Sequence, residues 1–517
     1  MKIAFVNDSC ERLGVEYISA LLKQTGHEVS LFVDLQLFND ENISIKPLAR
    51  LFDKRSKIIK DLAEFEPDLV AISVVTDFYP WALDMAEQIK AKINVPIVFG
   101  GIHPSSVPER VIKSDYVDIV CVGESEYAML ELIQSMAKGQ IDYSIKNIWF
   151  KDNDRIIKNE VRPLIEDLDA LPLPDKELFY SKSPHFAICY YIMASRGCQY
   201  TCSYCCHSFL KNIYKQKGVY LRRRSIDNTI DELRIAKEKY QPKYVRFFDE
   251  SLGADYEWLK NFSAVYRDKI GIPFICYMHP KDISVESVGY LKVAGCCEIE
   301  MGIQSMNEKI SYEVLNRHVS NERIKKAIDI ILVEKISLVT DNIFGLPGQR
   351  QEDILRMINY YNGKRVNRIY SFWLRFYPRV RITEWAKDKG ILNAEQYDDI
   401  MEGKASRPFS RGGDISNKDF IKLQVLIFLI SFFPKSLITW LAKKNRYRYL
   451  PDFFPPAILA AFTSLFSGAF NDKIVHEKVW VRYSIGLSKE IMLISKNIFS
   501  VCGTNLKKFS RKVFLAK

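Results

Sequence analysis

Asp68–Val75 reads DLVAISVV, a nearly continuous apolar run, and similar runs recur through the first 140 residues with helical patterns between them. A strand that is apolar on both sides must be covered on both faces, which a parallel sheet packed between helices provides. Lys2–Asn7, Glu28–Val33, Asp68–Val75, Pro96–Gly101 and Asp118–Gly123 are the expected strands, with Val15–Gln24 and Trp81–Lys92 as helices. Residues 1–141 are therefore expected to form a doubly wound α/β domain, with a ligand crevice beyond the carboxyl ends of its strands. Thr76, Gly100, Gly101, His103, Gly123 and Glu124 fall at those ends. No G-x-G-x-x-G follows a strand, which disfavours a nicotinamide cofactor.

Residues 142–183 read as a connector, because Pro172 and Pro174 in the segment Leu168–Asp175 resist both helix and sheet. From 184 to 403 the alternation resumes. Strands are expected at 187–194, 244–249, 273–278, 298–303, 338–344 and 369–376, and helices at 225–240, 255–268, 284–294, 321–335 and 351–361. Six β/α steps suggest a partial (β/α)6 barrel of the TIM type, with its site at the strand carboxyl ends.

Residues 404–517 break the pattern and form a basic, hydrophobic, mainly α-helical segment. They hold 20 of the 74 Lys and Arg but only 6 of the 63 Asp and Glu, so the remainder of the chain is slightly acidic. The net charge of +11 is thus local, which argues against a nucleic-acid binder. Leu423–Phe433 and Pro456–Phe470 are apolar but shorter than a membrane span. Two readings stand: a helical domain with its own core, or a patch held against anionic lipid or closing over a greasy substrate. The first residues do not read as an export signal, and eleven cysteines are an odd number. A reducing cytoplasm, with membrane association through 404–517 as the variant, is the expected location.

Three of those cysteines cluster as Cys198-Gln-Tyr-Thr-Cys202-Ser-Tyr-Cys205, the form C-x3-C-x2-C. Three thiolates on one tight loop can hold three corners of an iron–sulfur cube and leave the fourth iron open, whereas structural sites close with four ligands. The alternative is a zinc site completed by Cys206 or His207, but no second Cys/His pair stands at finger-like spacing. Cys206 is taken as a bystander.

The spacing, with Tyr204 before the third cysteine, resembles the signature of the radical S-adenosylmethionine (SAM) superfamily. Three further segments follow in the family's order. Phe247–Ser251 ends the second strand, where the resemblance places the SAM amine near Asp249, Glu250 and Ser251. Glu300–Ser305 is similar to the fourth-strand segment, with Gln304 where glutamate is usual, and Asn342–Gly348 contains the Gly345-Leu346-Pro-Gly turn. The resemblance implies a [4Fe–4S] cluster on Cys198, Cys202 and Cys205. It also implies SAM at the open iron, cleaved by one electron from a flavodoxin- or ferredoxin-like donor to a 5′-deoxyadenosyl radical.

Gly14–Ile18, Phe99–Ser105 and Val122–Glu126 resemble the flavodoxin-like cobalamin-binding domain of the B12-type members of that group. The resemblance covers roughly residues 1–400. A D-x-H-x-x-G motif is lacking: Cys10 stands at the histidine position of Asp8–Gly14, and the glycine comes one residue late. Cobalamin is expected base-off without a histidine ligand. His103 is expected to line the corrin pocket, or else to be a hydrogen-bonded loop residue. No catalytic base is identifiable. The leading functional expectation is methylation of an unactivated carbon or phosphorus of a hydrophobic small molecule. The alternatives are a cobalamin-dependent oxidative cyclisation or rearrangement, and a non-catalytic iron–sulfur or cobalamin sensor.

Overall fold

The computed structural model describes residues 1–488 apart from 41–42, 154, 365, 405–416, 431 and 452–460. Parts of the apolar stretches expected in 404–517, including 456–460, and all of 489–517 lie outside the described residues.

The amino-terminal sheet has seven strands: β1 (Lys2–Asn7), β2 (Glu28–Val33), β3 (Leu69–Ser73), β4 (Ile97–Gly100), β5 (Ile119–Cys121), β6 (Ile148–Asp152) and β7 (Arg155–Lys158). Their order is β2-β1-β3-β4-β5-β6-β7. The first five are parallel, and in β1, β3, β4 and β5 the Val, Ile and Phe side chains are buried on both faces, as continuous apolar runs require. The helices Leu13–Gln24, Tyr79–Lys90 and Glu126–Ala137 supply that cover. Within the stretch expected as a bare connector, β6 and β7 instead extend the sheet edge as an antiparallel ribbon. The connector then crosses to the second domain under an internal anchor. The buried ammonium of Lys176 sits 2.8 Å from Glu11 and 2.7 Å from Glu16 of the first domain.

The second sheet is wholly parallel and runs in chain order: β8 (Cys189–Ile192), β11 (Tyr244–Phe247), β12 (Phe274–Met278), β13 (Cys296–Gln304), β14 (Ser337–Phe344) and β15 (Arg368–Trp373). Between the first two lies a short antiparallel ribbon of β9 (Ser195–Arg196) and β10 (Arg222–Arg223). Each strand of the six is followed by at least one helix, giving the expected partial barrel. Pairing register fixes which side chains share the bore. Cys189, Tyr244, Ile275, Glu298 and Ser337 lie on the same face as Tyr191, Arg246, Tyr277, Glu300 and Asp341. The opposite face carries Val245, Phe247, Ile299, Met301 and Ile303, all buried in the main core.

The carboxyl-terminal segment helps to build the barrel. Helices Asn417–Leu429 and Lys435–Ala442 pack against the helix Gln351–Tyr361. A further helix, 470–488, enters the lower bore. Glu298 accepts the Phe470 N–H at 2.7 Å and the Asn471 N–H at 2.9 Å, capping that helix with a carboxylate from β13. Ile474 packs with Cys189 and Ile275, and Lys478 lies 3.9 Å over the Tyr191 ring. Farther along, the Tyr483 hydroxyl accepts the Phe38 N–H at 2.9 Å. One helix thus runs from the barrel floor to the amino-terminal domain.

Candidate functional site

Two cavities of about 360 Å3 each adjoin at the carboxyl ends of the two sheets. The first lies between the domains. The amino-terminal sheet contributes Gly100, Gly101, Gly123 and Glu124, and the barrel contributes Arg196, Tyr214, Tyr220 and Arg222. Glycine is required at two of these positions. Gly101 has φ +99° with the Val74 backbone against it, and Gly123 has φ +79° with the Tyr214 hydroxyl where a Cβ would project.

Glu124 does more than line this cavity. Its carboxylate accepts from both terminal nitrogens of the Arg222 guanidinium, at 2.8 and 3.0 Å, and its N–H donates to the Tyr214 hydroxyl at 2.6 Å. Arg196 reaches Glu126 at 2.7 Å. Ribbon β9–β10 therefore clamps the barrel to the first domain through largely buried ion pairs. Thr76 and His103 lie outside the cavity wall. His103 is fully buried in the helix Ile102–Ser106, with Nδ1 3.2 Å from the Thr76 hydroxyl and its ring centred 4.1 Å from that of Tyr79. Burial lowers its pKa to about 4, so it is neutral there. The ring thus hydrogen-bonds within the first domain and does not line the first cavity.

The second cavity is walled by Cys198, Cys202, Cys205 and Tyr204 on one side and by Asp249, Glu250, Glu300 and Gln304 on the other. The cysteine loop follows β8 and β9 and is pinned from below. Asp249 accepts the Ala194 N–H at 3.0 Å and the Ser195 hydroxyl, so it fixes the base of the loop. Ser251 donates to Asp282 at 2.6 Å and accepts the His279 N–H, which places it behind the wall. Gly345 and Leu346 form the turn after β14, where Leu346 is buried in the interdomain core away from the cavity.

The donor set fits an iron–sulfur cluster. The three thiols line one cavity, the Tyr200 N–H lies 3.4 Å from Cys198 Sγ, and Arg317 Nη1 lies 3.4 Å from Cys202 Sγ. Such N–H donors stabilise thiolate sulfur. Burial pushes the Cys198 thiol up to about 12, and a bound metal cation would favour its thiolate instead. The zinc alternative has a geometric counterpart, since donor atoms of Cys205, Cys206 and His207 lie within 4.8 Å of one another. His207 is already committed, with Nε2 2.9 Å from Glu250 and Nδ1 2.6 Å from the Tyr220 hydroxyl. A zinc ion there would have to break one of those contacts and would leave Cys198 and Cys202 unused.

Several wall residues carried no sequence signal. Arg317 also donates to the Gly302 carbonyl at 2.5 Å, and its Nε is buried without a partner. His279 stacks on Tyr200, with centroids 3.6 Å apart, and its Nε2 is likewise unpartnered. Below them Arg246 contacts the Tyr277 hydroxyl at 3.1 Å and Glu300 at 3.3 Å. Burial, and then the neighbouring Asp341, push Glu300 up to about 8 against the pull of Arg246. Burial pushes Asp341 up to about 6. Unpartnered polar atoms around a cavity are what a polar ligand satisfies. His207, Phe248 and Glu250 line both cavities, so the two spaces meet at those side chains.

Comparison with known proteins agrees with this architecture. Residues 3–133 match the B12 binding domain, and residues 192–361 match the radical SAM superfamily. An uncharacterised methyltransferase of Pyrococcus horikoshii is 23% identical over 388 residues, covering 74% of this chain and 79% of that protein. An anaerobic magnesium-protoporphyrin IX monomethyl ester cyclase of Rubrivivax gelatinosus is 22% identical over 381 residues. That alignment covers 69% of this chain and 64% of the cyclase, so the chain spans less than two thirds of that relative. Among solved structures, the radical SAM methyltransferase TsrM of Kitasatospora setae, with cobalamin and a [4Fe–4S] cluster bound, superposes with TM-score 0.65 at 14% identity. The match covers 95% of this chain and 99% of TsrM. OxsB, a cobalamin-dependent SAM radical enzyme with aqua-cobalamin and SAM bound, also gives TM-score 0.65, at 16% identity, with 96% and 81% covered. At such identities the likeness speaks for the fold. With both domain families matched in sequence and the cysteine loop at the barrel mouth, the chain belongs to the B12-binding group of the radical SAM superfamily, related to methyltransferases and to cyclases.

Proposed function

We propose that this chain methylates an unactivated carbon or phosphorus centre of a small, hydrophobic or natural-product-like substrate. In this reading Cys198, Cys202 and Cys205 hold a [4Fe–4S] cluster. SAM occupies the second cavity beside Tyr204, Glu250 and Gln304, and the corrin of cobalamin lies in the first. Those groups, once bound and reduced by a flavodoxin- or ferredoxin-like donor, supply radical formation and methyl delivery.

The protein's part is position and exclusion of water. Gly100, Gly101 and Gly123 leave backbone surface for a large planar ligand, and Phe248 stands at the boundary between the two cavities. Among the described residues, His207 is the only histidine lining the first cavity, and it is held by Glu250 and Tyr220. Cobalamin would then be held there without a histidine ligand from the first domain. Arg317 Nε, His279 Nε2 and Asp341 offer hydrogen bonds to the polar ends of SAM and substrate. Asp249 and Ser251 act indirectly, by holding the loop and the wall.

The observation that carries the reading is the meeting of the two cavities at His207, Phe248 and Glu250, which gives a substrate access to both cofactor spaces at once. The test is anaerobic reconstitution with iron, sulfide and cobalamin, followed by product analysis with SAM. S-adenosylhomocysteine together with 5′-deoxyadenosine is the expected outcome. 5′-Deoxyadenosine alone would assign the cyclisation chemistry of the cyclase relatives, and neither product would leave a sensor. Replacing Cys202 with Ala should remove cluster iron and its visible absorbance.

A further inference from the structure

Large aromatic side chains cluster, exposed, on one part of the carboxyl-terminal region. Phe432, Phe462 and Phe466 are between 40% and 61% exposed and pack on one another, with ring centroids 5.2–6.5 Å apart. Phe433 follows directly, and Leu437 and Trp440 lie one turn apart on the outward side of the helix Lys435–Ala442, whose Ile438 and Leu441 point inward. A contiguous apolar patch kept in water marks a contact surface.

Its charge is one-sided. Residues 420–470 contain Lys422, Lys435, Lys443, Lys444, Arg446 and Arg448 against a single acidic residue, Asp452. Arg446 stacks over the Trp440 ring at 4.8 Å, so cation and aromatic share one surface. Among the described residues no carboxylate pairs with Lys435, Lys443, Lys444 or Arg446, while Arg448 nearby is 3.5 Å from Asp419.

We propose that this face docks peripherally on an anionic lipid surface, with Phe432, Phe466 and Trp440 seated at the headgroup boundary and Lys443, Lys444 and Arg446 on lipid phosphates. No described helix is long and apolar enough to cross a membrane, so the contact lies on the bilayer. Lysine is depleted from protein–protein interfaces, and an aromatic patch with a lysine rim suits lipid better than a protein partner. Docking would bring a hydrophobic substrate close to the barrel, but the proposal does not rest on methyl transfer.

Flotation of the full-length holoprotein with vesicles tests it, comparing phosphatidylcholine alone with an equal mixture of phosphatidylcholine and phosphatidylglycerol. Binding to the anionic vesicles only, weakened by salt, is expected. Lys443→Gln with Lys444→Gln should reduce partition roughly tenfold or more. Trp440→Ser with Phe466→Ser should reduce it comparably, with an unchanged unfolding midpoint. Absence of binding to anionic vesicles, or equal binding by both double variants, overturns the proposal. A concentration-dependent dimer in sedimentation velocity that Trp440→Ser abolishes would give the face to a second copy and also overturn it. Formation of 5′-deoxyadenosine in the same preparations reports separately on the catalytic reading.

Discussion

Gly123 shows how much a single residue can be asked to do. Its φ of +79° and the Tyr214 hydroxyl beside it leave no place for a side chain, while the next N–H donates to that same hydroxyl. Gly123→Ala is expected to cost about 1–3 kcal/mol of stability, read as a lower denaturant midpoint; an unchanged midpoint would mean that Tyr214 moves aside freely. The acids on the bore make a second prediction. Folded Glu300 and Asp341 keep their protons to about 8 and about 6, whereas the unfolded chain loses them near 4.5 and 3.8. The folded state then binds more protons across that interval, so stability falls as pH rises from about 4 to about 8. Glu300→Gln should flatten the fall in thermal unfolding of the apoprotein; an equally steep fall would remove the pair as its cause. At this scale the cysteines were legible because all three sit within eight residues on one loop. Arg317 was not, because only the folding of β13 and the following loop brings it to Cys202. For His103, a Gly-Gly-x-His-Pro string tells where the loop starts, not which way the ring turns.

Parallel strands were the easiest elements to read, since burial on both faces writes them as unbroken Val and Ile runs. The antiparallel β6–β7 ribbon was missed because it is short, lies at an edge, and mixes Lys, Asp and Arg with its apolar positions. Ribbon β9–β10 is shorter still, yet it joins the domains. Arg222 is buried against Glu124, and losing it would strand a carboxylate with only Arg196 and the Ile165 N–H nearby. Arg222→Met is therefore expected to destabilise by about 3 kcal/mol. Chemical denaturation followed separately by circular dichroism and by cobalamin absorbance would show whether the domains part before they unfold.

At the level of the whole molecule, the order of the two α/β domains was written in the sequence, and the place of the last hundred residues was not. Hydropathy suggested a separate helical unit or a membrane-facing patch, but residues 470–488 are amphipathic and charged, and nothing local says that they enter a barrel. Ending the chain at residue 469 should take the Phe470 and Asn471 N–H donors from Glu298 and open the floor beneath Ile275. Faster hydrogen exchange in β8, β12 and β13 is the expected result, and unchanged protection there would make the helix an accessory. This threading also bears on biosynthesis. Synthesis runs from the amino terminus, so all six barrel strands are made before the helix 470–488 that closes the floor beneath them.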